Sequence, residues 1–349
     1  MSPSPLLGTP VAPMSESEAE ALALDIFGVA GSARPLTSER DQNFLLTTPD
    51  AGRLVLKIAN PAEDPAVTRF QAAALAHVAE VDPALPTPRV VRTREGEIST
   101  LLTRPGEGPR VVRMLTFLPG TMVHEVKSTP ALRRNIGAAH ARLGLALAGF
   151  DHPAADHDLP WDMKRAGRLA ELRDSIPEPS RRALVDEAMD RFRTRVEPRL
   201  GDLRSQVVHN DLNQHNLVVD PDHPDRVAGI LDFGDMVRAP LACDVAVAAA
   251  YMLSDGDDPL EGAAPYVAGY HAVSPLRPEE ADLLADMVAT RLLMTVLITG
   301  WRAEVHPHNR AYILRNNGPA WSRLEKLMAR DRGAGDDPLR SACTGGTLS

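Results

Sequence analysis

Three oxygen-bearing side chains, Asp211, Asn216 and Asp232, lie within residues 207 to 237 at spacings that suit transfer of a phosphoryl group to a hydroxyl. A transferring phosphoryl carries its charge on oxygens, so a protein must neutralise that charge with metal and aim the attacking hydroxyl, with little covalent chemistry of its own. One carboxylate at the hydroxyl and two oxygen ligands for metal suffice. The Asp-x-x-x-x-Asn spacing from Asp211 to Asn216 lets one loop carry the base at its start and a metal ligand at its end. Asp232 closes the apolar run Val227 to Leu231, which reads as a short buried strand and would hold the carboxylate rigidly. Mg²⁺ takes hard oxygen donors and keeps several waters, so one carboxylate, one amide oxygen and nucleotide phosphates complete its shell. His-x-Asp or Asp-Phe-Gly alone reads equally well as a loop capping its own backbone. Their order, their flanking apolar runs and the 16 positions from Asn216 to Asp232 favour the chemical reading.

The elements that must position these groups follow from the chain in order. Residues 1–14, with Pro3, Pro5, Pro10 and Pro13, show no hydrophobic period and are expected to be disordered. Ser15 with Glu18, or Ser17 with Glu20, gives the capping-box pattern for a helix through Phe27, ended by Gly28. Strands are expected over Ala33 to Leu36, Asn43 to Thr47 and Arg53 to Ile58, the last two joined by the turn Pro49 to Gly52. Lys57, within Leu-Val-Leu-Lys-Ile, alternates to the face opposite Leu56 and Ile58. It is either a solvated edge lysine or a ligand for nucleotide phosphates. The following helix, Pro65 to Ala79, carries Gln71 where a carboxylate would orient that lysine. Either the pair becomes a weaker amide contact, or Glu63 or Glu80 serves.

Further strands at Val90 to Thr93, Ile98 to Thr103 and Val111 to Phe117 run into Leu118-Pro119-Gly120, a stop signal after which helices dominate. The lobe boundary is therefore expected there, with the backbone of Thr116 to Leu118 as a hinge whose amides and carbonyls face a purine edge. A helix from Pro130 to Phe150 carries His140 as a packing residue. The loop 151–162 holds four Asp, including Asp162, with His152 and His157. An acidic rim over the site is one reading of it, and zinc is disfavoured because the His spacing matches no strong zinc pattern. Trp161 beside Asp162 is a substrate-facing residue or an ordinary anchor. Asp244 opens an apolar helix and is expected to brace the catalytic loop. Tyr251, Arg291, Trp301 and Arg302 are candidate pocket residues, and the Gly-rich tail from Asp331 is expected to be flexible.

A chain of 349 residues accommodates two domains or one large two-lobed one, and 44% hydrophobic with 24% charged residues is an ordinary globular balance. A net charge of -9 argues against a nucleic-acid partner, which would require a basic patch. Two cysteines make no disulfide framework and point to a reducing cytoplasm. No leader pattern appears, and no apolar run approaches the roughly 20 residues that span a bilayer, so no membrane partner is expected.

The run His209-Asn210-Asp211-Leu212-Asn213-Gln214-His215-Asn216, with Ile230-Leu231-Asp232-Phe233-Gly234-Asp235-Met236, resembles the signature of the aminoglycoside phosphotransferase and choline kinase family. Ser38 to Phe44, Leu56 to Asn60 and Leu115 to Gly120 bring it nearer the hydroxylysine kinase subgroup. The resemblance spans about residues 15 to 330. It implies an α+β, two-lobed protein-kinase-like fold: residues 15–118 a nucleotide-binding lobe of antiparallel sheet, 119–330 a larger helical lobe carrying the catalytic loop and acceptor site, and 331–349 a tail. It also implies Asp211 as base, Asn216 and Asp232 as Mg²⁺ ligands, Lys57 on the phosphates, and Arg40 or backbone amides in a phosphate-covering loop that lacks the Gly-x-Gly-x-x-Gly pattern. The donor would be ATP or GTP. The acceptor would be a small hydroxylated amine or amino acid, first 5-hydroxylysine, with choline, ethanolamine, homoserine and aminoglycosides as alternatives. An amino-acid acceptor would need an arginine for its carboxylate, Arg291 or Arg302. A non-catalytic nucleotide-binding scaffold is the competing class, and Gln71 is the only residue that favours it.

Overall fold

The computed structural model describes residues 13–38, 41–104, 108–330 and 337–344. Its chain divides into two compact units. The first comprises Met1–Gly120, Phe150–His157 and Ala228–Gly234, and the second comprises Thr121–Gly149, Asp158–Val227 and Asp235–Ser349. The first break thus falls at Gly120, and two short segments expected in the helical lobe belong to the first unit. The expected disorder of residues 1–14 lies outside the described residues except at Pro13, which is exposed, and Met14, which is buried and donates its N–H to Gln42 Oε1 at 2.9 Å.

The first unit is built on a six-stranded antiparallel sheet. Its strands are β1 (Ser32–Leu36), β2 (Gln42–Thr47), β3 (Arg53–Ile58), β4 (Val90–Val91), β5 (Thr100–Leu102) and β6 (Arg110–Thr116). Their order is β1-β2-β3-β6-β4, with β5 also paired to β6. The period-2 alternation sorts the strands into two faces. On one, Phe44, Leu46, Leu54, Leu56, Ile58, Val112 and Met114 bury against Ala19, Ala23 and Phe27 of helix α1 (Glu16–Phe27). Ser15 and Glu18 cap that helix reciprocally, and Gly28, at φ 70°, ends it. On the other face Asn43, Lys57 and Arg113 are direct cross-strand neighbours. Helix α2 (Pro65–Val81) lies on this side, because Arg113 Nη1 donates to Thr68 O at 3.2 Å. Asp64 caps α2 and Pro65 supplies its first turn. Phe150 stacks on Phe70 of α2 with ring centroids 6.1 Å apart, which explains why the 150–157 segment joins this unit.

The second unit is mainly helical: α3 (Pro130–Ala146), α4 (Pro179–Arg191), α5 (Leu241–Ala250), α6 (Leu260–Val273), α7 (Pro278–Ala281), α8 (Leu284–Val305), α9 (Arg310–Ile313), α10 (Asn317–Ala329) and α11 (Pro338–Thr344). Strand Ser205–Val208 pairs antiparallel with Val237–Pro240, and Leu217–Val219 pairs with Thr121–Met122, so paired strands bound the loop 209–216 at both ends. Helix α8 is the axis of the unit. Contrary to the sequence expectation it is long and apolar enough to cross a membrane, yet 83% of its most apolar window is buried inside the protein, as in a core helix. Its buried Asp286 meets Arg195 Nε at 2.9 Å. Helix α11 corrects the expectation of a flexible tail over 338–344, because its Leu339 is fully buried.

Helices α3 and α6 approach closely through glycines. A Cβ at Gly137 would collide with the Tyr266 carbonyl and sit 2.7 Å from the Tyr270 nitrogen, and one at Gly269 would collide with the Arg134 carbonyl. Backbone cannot yield as a side-chain tip can. Gly137→Ala is therefore expected to destabilise the protein by about 3 kcal/mol or more, read as a lowered melting temperature, whereas the same change at the open Gly300 should cost little.

Candidate active site

The loop from His209 to Asn216 folds around its own aspartate. Asp211 Oδ2 accepts from Asn213 Nδ2 at 3.0 Å and Asn216 Nδ2 at 2.9 Å, and the Asp211 carbonyl accepts from Asn216 Nδ2 at 2.8 Å. The Asn216 amide nitrogen makes the last two of these contacts, both with Asp211. The His209 ring accepts the Asp211 N–H at 3.3 Å, and Asn213 Oδ1 accepts the His215 N–H at 2.8 Å. The carboxylate is thus oriented by side-chain amides of its own loop. Asn213 went unnoticed in the sequence, although its place two residues after Asp211 suits an Asx-type contact.

Asn210 stands at φ 64°, a left-handed conformation that costs a non-glycine residue free energy. Asp244 holds it there. The buried carboxylate accepts the Asn210 N–H at 2.7 Å through Oδ1, and through Oδ2 the His209 N–H at 3.3 Å and His140 Nε2 at 2.8 Å. Tyr266 O–H meets His140 Nδ1 at 2.7 Å. His140, His209 and Tyr266 are each at most 1% exposed, so this network lies inside the unit. Burial works against the Asp244 charge, but the imidazole of His140, then His209 and the Asn210 amide, outweigh it and bring the carboxyl below its ordinary range. The sequence reading of Asp244 as a brace and His140 as a packing residue describes this arrangement.

The other oxygen of Asp211 faces a buried arginine. Arg291 Nη2 lies 3.3 Å from Asp211 Oδ1 and 3.3 Å from the Tyr251 hydroxyl. Its guanidinium carbon sits 4.6 Å from the Trp161 ring centroid and 5.9 Å from that of Tyr251. Arg291 is 2% exposed. Burial opposes its charge, yet Tyr251, Asp211 and Asp235 together raise its pKa further, so it stays a cation. Burial likewise raises the Tyr251 phenol, which remains neutral. Tyr251 and Trp161 therefore converge on Arg291, which faces Asp211, whereas Trp301 lies ten residues farther along α8, about 15 Å at 1.5 Å per residue.

Asp162 corrects a prediction. It is completely buried, where it caps the turn at Lys164 N at 3.0 Å and pairs with Arg165 at 3.4 Å and Lys164 at 3.6 Å. It is a structural counter-ion and not part of an acidic rim. Asp and cap are indistinguishable in sequence, because an aspartate two residues before a helical turn is also a capping signal. His152 and His157 lie against Phe70 in the first unit.

In the first unit Lys57 is half-buried on β3 beside Arg113, a second cation unforeseen in the sequence. Gln71, 1% exposed, donates its amide to Gly234 O at 2.9 Å and approaches Glu63 at 3.5 Å. It thereby fastens α2 to the Asp-Phe-Gly turn. That turn holds Asp232 at φ 53°, with Oδ1 accepting the Gly234 N–H at 3.1 Å. Gln71→Glu removes the donor and sets a carboxylate against a carbonyl. It is expected to lower stability by about 1–3 kcal/mol in a melting experiment, despite restoring the residue type that usually pairs a lysine of this kind. The Thr116 and Phe117 N–H groups are spent on the Arg89 and Arg53 carbonyls, both across the sheet. The Thr116 N–H is thus not available to a purine edge. Arg40 lies outside the described residues.

The comparisons with known proteins accord with this geometry. A family model described as "Phosphotransferase enzyme family" matches residues 32–283. The chain is 29% identical to a hydroxylysine kinase of Mus musculus over 337 residues, covering 90% of this chain and 89% of the relative. It is 29% identical to a homoserine kinase of Chelativorans sp. (strain BNC1) over 270 residues, covering 74% and 76%. The solved structure of a microcompartment-associated aminopropanol kinase superposes with a TM-score of 0.65 at 21% identity, covering 90% of this chain and 96% of that one, which shows a shared protein-kinase-like α+β fold. With its family model spanning most of its length, the chain belongs to the phosphotransferase enzyme family.

Proposed function

We propose that this phosphotransferase moves the γ-phosphoryl of ATP or GTP to the hydroxyl of a small amine or amino acid, first 5-hydroxylysine, in the cytoplasm. The observation that supports this best is Asp211: one carboxylate oxygen is held by the amides of Asn213 and Asn216 and the other faces Arg291, on a loop braced by Asp244. A carboxylate fixed in this way serves to orient an acceptor hydroxyl and take its proton as the oxygen attacks. The amide oxygen of Asn216 and the carboxylate of Asp232 are each oxygen donors of the kind Mg²⁺ selects. Mg²⁺, when bound, neutralises charge on the transferring phosphoryl. Lys57 is assigned to the nucleotide phosphates and Leu118 to the purine edge. Tyr251 and Arg291 are assigned to the acceptor side, as Asp162 and Trp301 are not.

The resemblance to the murine hydroxylysine kinase supports the first acceptor, and that to the homoserine kinase supports a second reading with homoserine. The test is nucleotide consumption by the purified protein with Mg²⁺, ATP and GTP in parallel, across hydroxylysine, homoserine, choline, ethanolamine and aminoglycosides. Turnover led by hydroxylysine is expected. Turnover led by another acceptor would overturn the substrate and keep the reaction.

A further inference from the structure

Two nitrogens of Arg291, Nε and Nη1, are buried and have no hydrogen-bond partner among the described residues. Only Nη2 is engaged, by Asp211 and Tyr251. A guanidinium is a planar fork of five donors, and leaving its edges unpaired in the interior costs free energy that an anion seated against them would recover. The aromatic rings of Trp161 and Tyr251 attract the cation without satisfying its N–H groups. The unused donors thus stand beside the carboxylate assigned to the acceptor hydroxyl.

A second arginine acts through its charge on residues of the same site. Arg315, exposed, stacks its guanidinium 3.8 Å from the Tyr312 ring centroid and donates to the Tyr312 carbonyl at 3.0 Å. The turn that carries it is pinned to α8, the helix of Arg291, where Asn317 Nδ2 donates to Thr299 Oγ1 at 2.9 Å and to Val296 O at 3.3 Å. Its charge reaches Tyr251, where it counters the upward push of burial. It also reaches His215 of the catalytic loop, where burial and His124 act first and Arg315 adds to the lowering.

We propose that Arg291 and Arg315 form a carboxylate subsite beside Asp211, so that the acceptor is a hydroxylated amino acid recognised by its carboxylate and not a simple amino alcohol. The inference rests on the phosphotransfer role given to Asp211. Arg315 meets the anion from the solvent side, and the open donors of Arg291 complete its hydrogen bonding. The two are specificity residues.

The test compares 5-hydroxylysine with the amine formed by removing its carboxyl group, in the full-length protein and in Arg315→Gln and Arg291→Lys. A charge-assisted hydrogen bond is worth about 10- to 100-fold in affinity. The unaltered protein is expected to favour the amino acid by that factor in kcat/KM. Arg315→Gln should erase most of the preference through the acceptor KM, with the nucleotide KM unmoved. Equal use of acid and amine by the unaltered protein, or a preference intact in Arg315→Gln, would overturn the subsite while leaving the kinase reading in place. The exposed Arg315 keeps the test decisive where Arg291→Lys fails to fold. Silence with every acceptor would count against the kinase reading, and calorimetric binding of acid against amine would still decide the subsite, equal binding overturning it.

Discussion

Asp211→Asn is expected to lower kcat by about 10²- to 10⁴-fold while nucleotide affinity holds, because a positioned general base contributes that much and makes no ground-state contact with the nucleotide. The substitution keeps the shape of the side chain. Its amide oxygen can still accept from Asn213 and Asn216, whose nitrogens lie 3.0 and 2.9 Å from Oδ2. Its new NH₂ group then faces Arg291 Nη2, 3.3 Å from Oδ1 in the native pair, donor against donor. A stability loss of about 1–3 kcal/mol should therefore accompany the catalytic loss, and a melting curve separates the two. A fall in kcat with an unchanged nucleotide dissociation constant and a still-cooperative melt is the expected pattern. A variant that turns over at the native rate would remove Asp211 from the chemistry.

The largest stability effect is expected at Asp244. Its carboxylate serves the Asn210 and His209 amides and the His140 ring together, so Asp244→Ala orphans three buried groups and frees Asn210 from its left-handed conformation. Breaking a buried pair of this kind costs about 3–5 kcal/mol. Asp244→Asn should cost less, because an amide oxygen still accepts one backbone N–H. The pH dependence has a definite sign. The folded pKa of Asp244 lies below its unfolded value, so its contribution is complete above about pH 4, the ordinary range of a free Asp, and is lost as pH falls through the folded value. The difference in melting temperature between the native protein and Asp244→Ala should accordingly narrow in strong acid. A difference that stays constant down to the lowest accessible pH would mean that the carboxylate charge plays no part.

What could be read from the sequence was local. The alternation through Phe44, Leu46, Leu54 and Leu56 separates the apolar face of the sheet from Lys57 by itself, and Ser15 with Glu18 announces its helix within four residues. The spacing of Asp211 and Asn216 likewise encodes a contact made inside one loop. Long-range partners had no such signal. Arg291 reaches Asp211 across 80 positions and Gln71 reaches Gly234 across 163, and neither contact has a periodicity to betray it. Helix α6, which contains Gly262, Pro265 and Gly269, was not expected from the sequence. Two of them are small because backbone of other segments passes against them. Asp162 misled for a chemical reason: the same carboxylate serves as cap or ligand, and only its complete burial decides between them.

The most direct test of the central claim is the product itself. The purified protein with Mg²⁺, γ-labelled nucleotide and 5-hydroxylysine should yield the label as a phosphate ester on the side-chain hydroxyl, located by mass spectrometry and ³¹P NMR, and Asp211→Asn should not. Bound nucleotide with label released only as inorganic phosphate, and no ester on any hydroxylated amine or amino acid, would contradict the account.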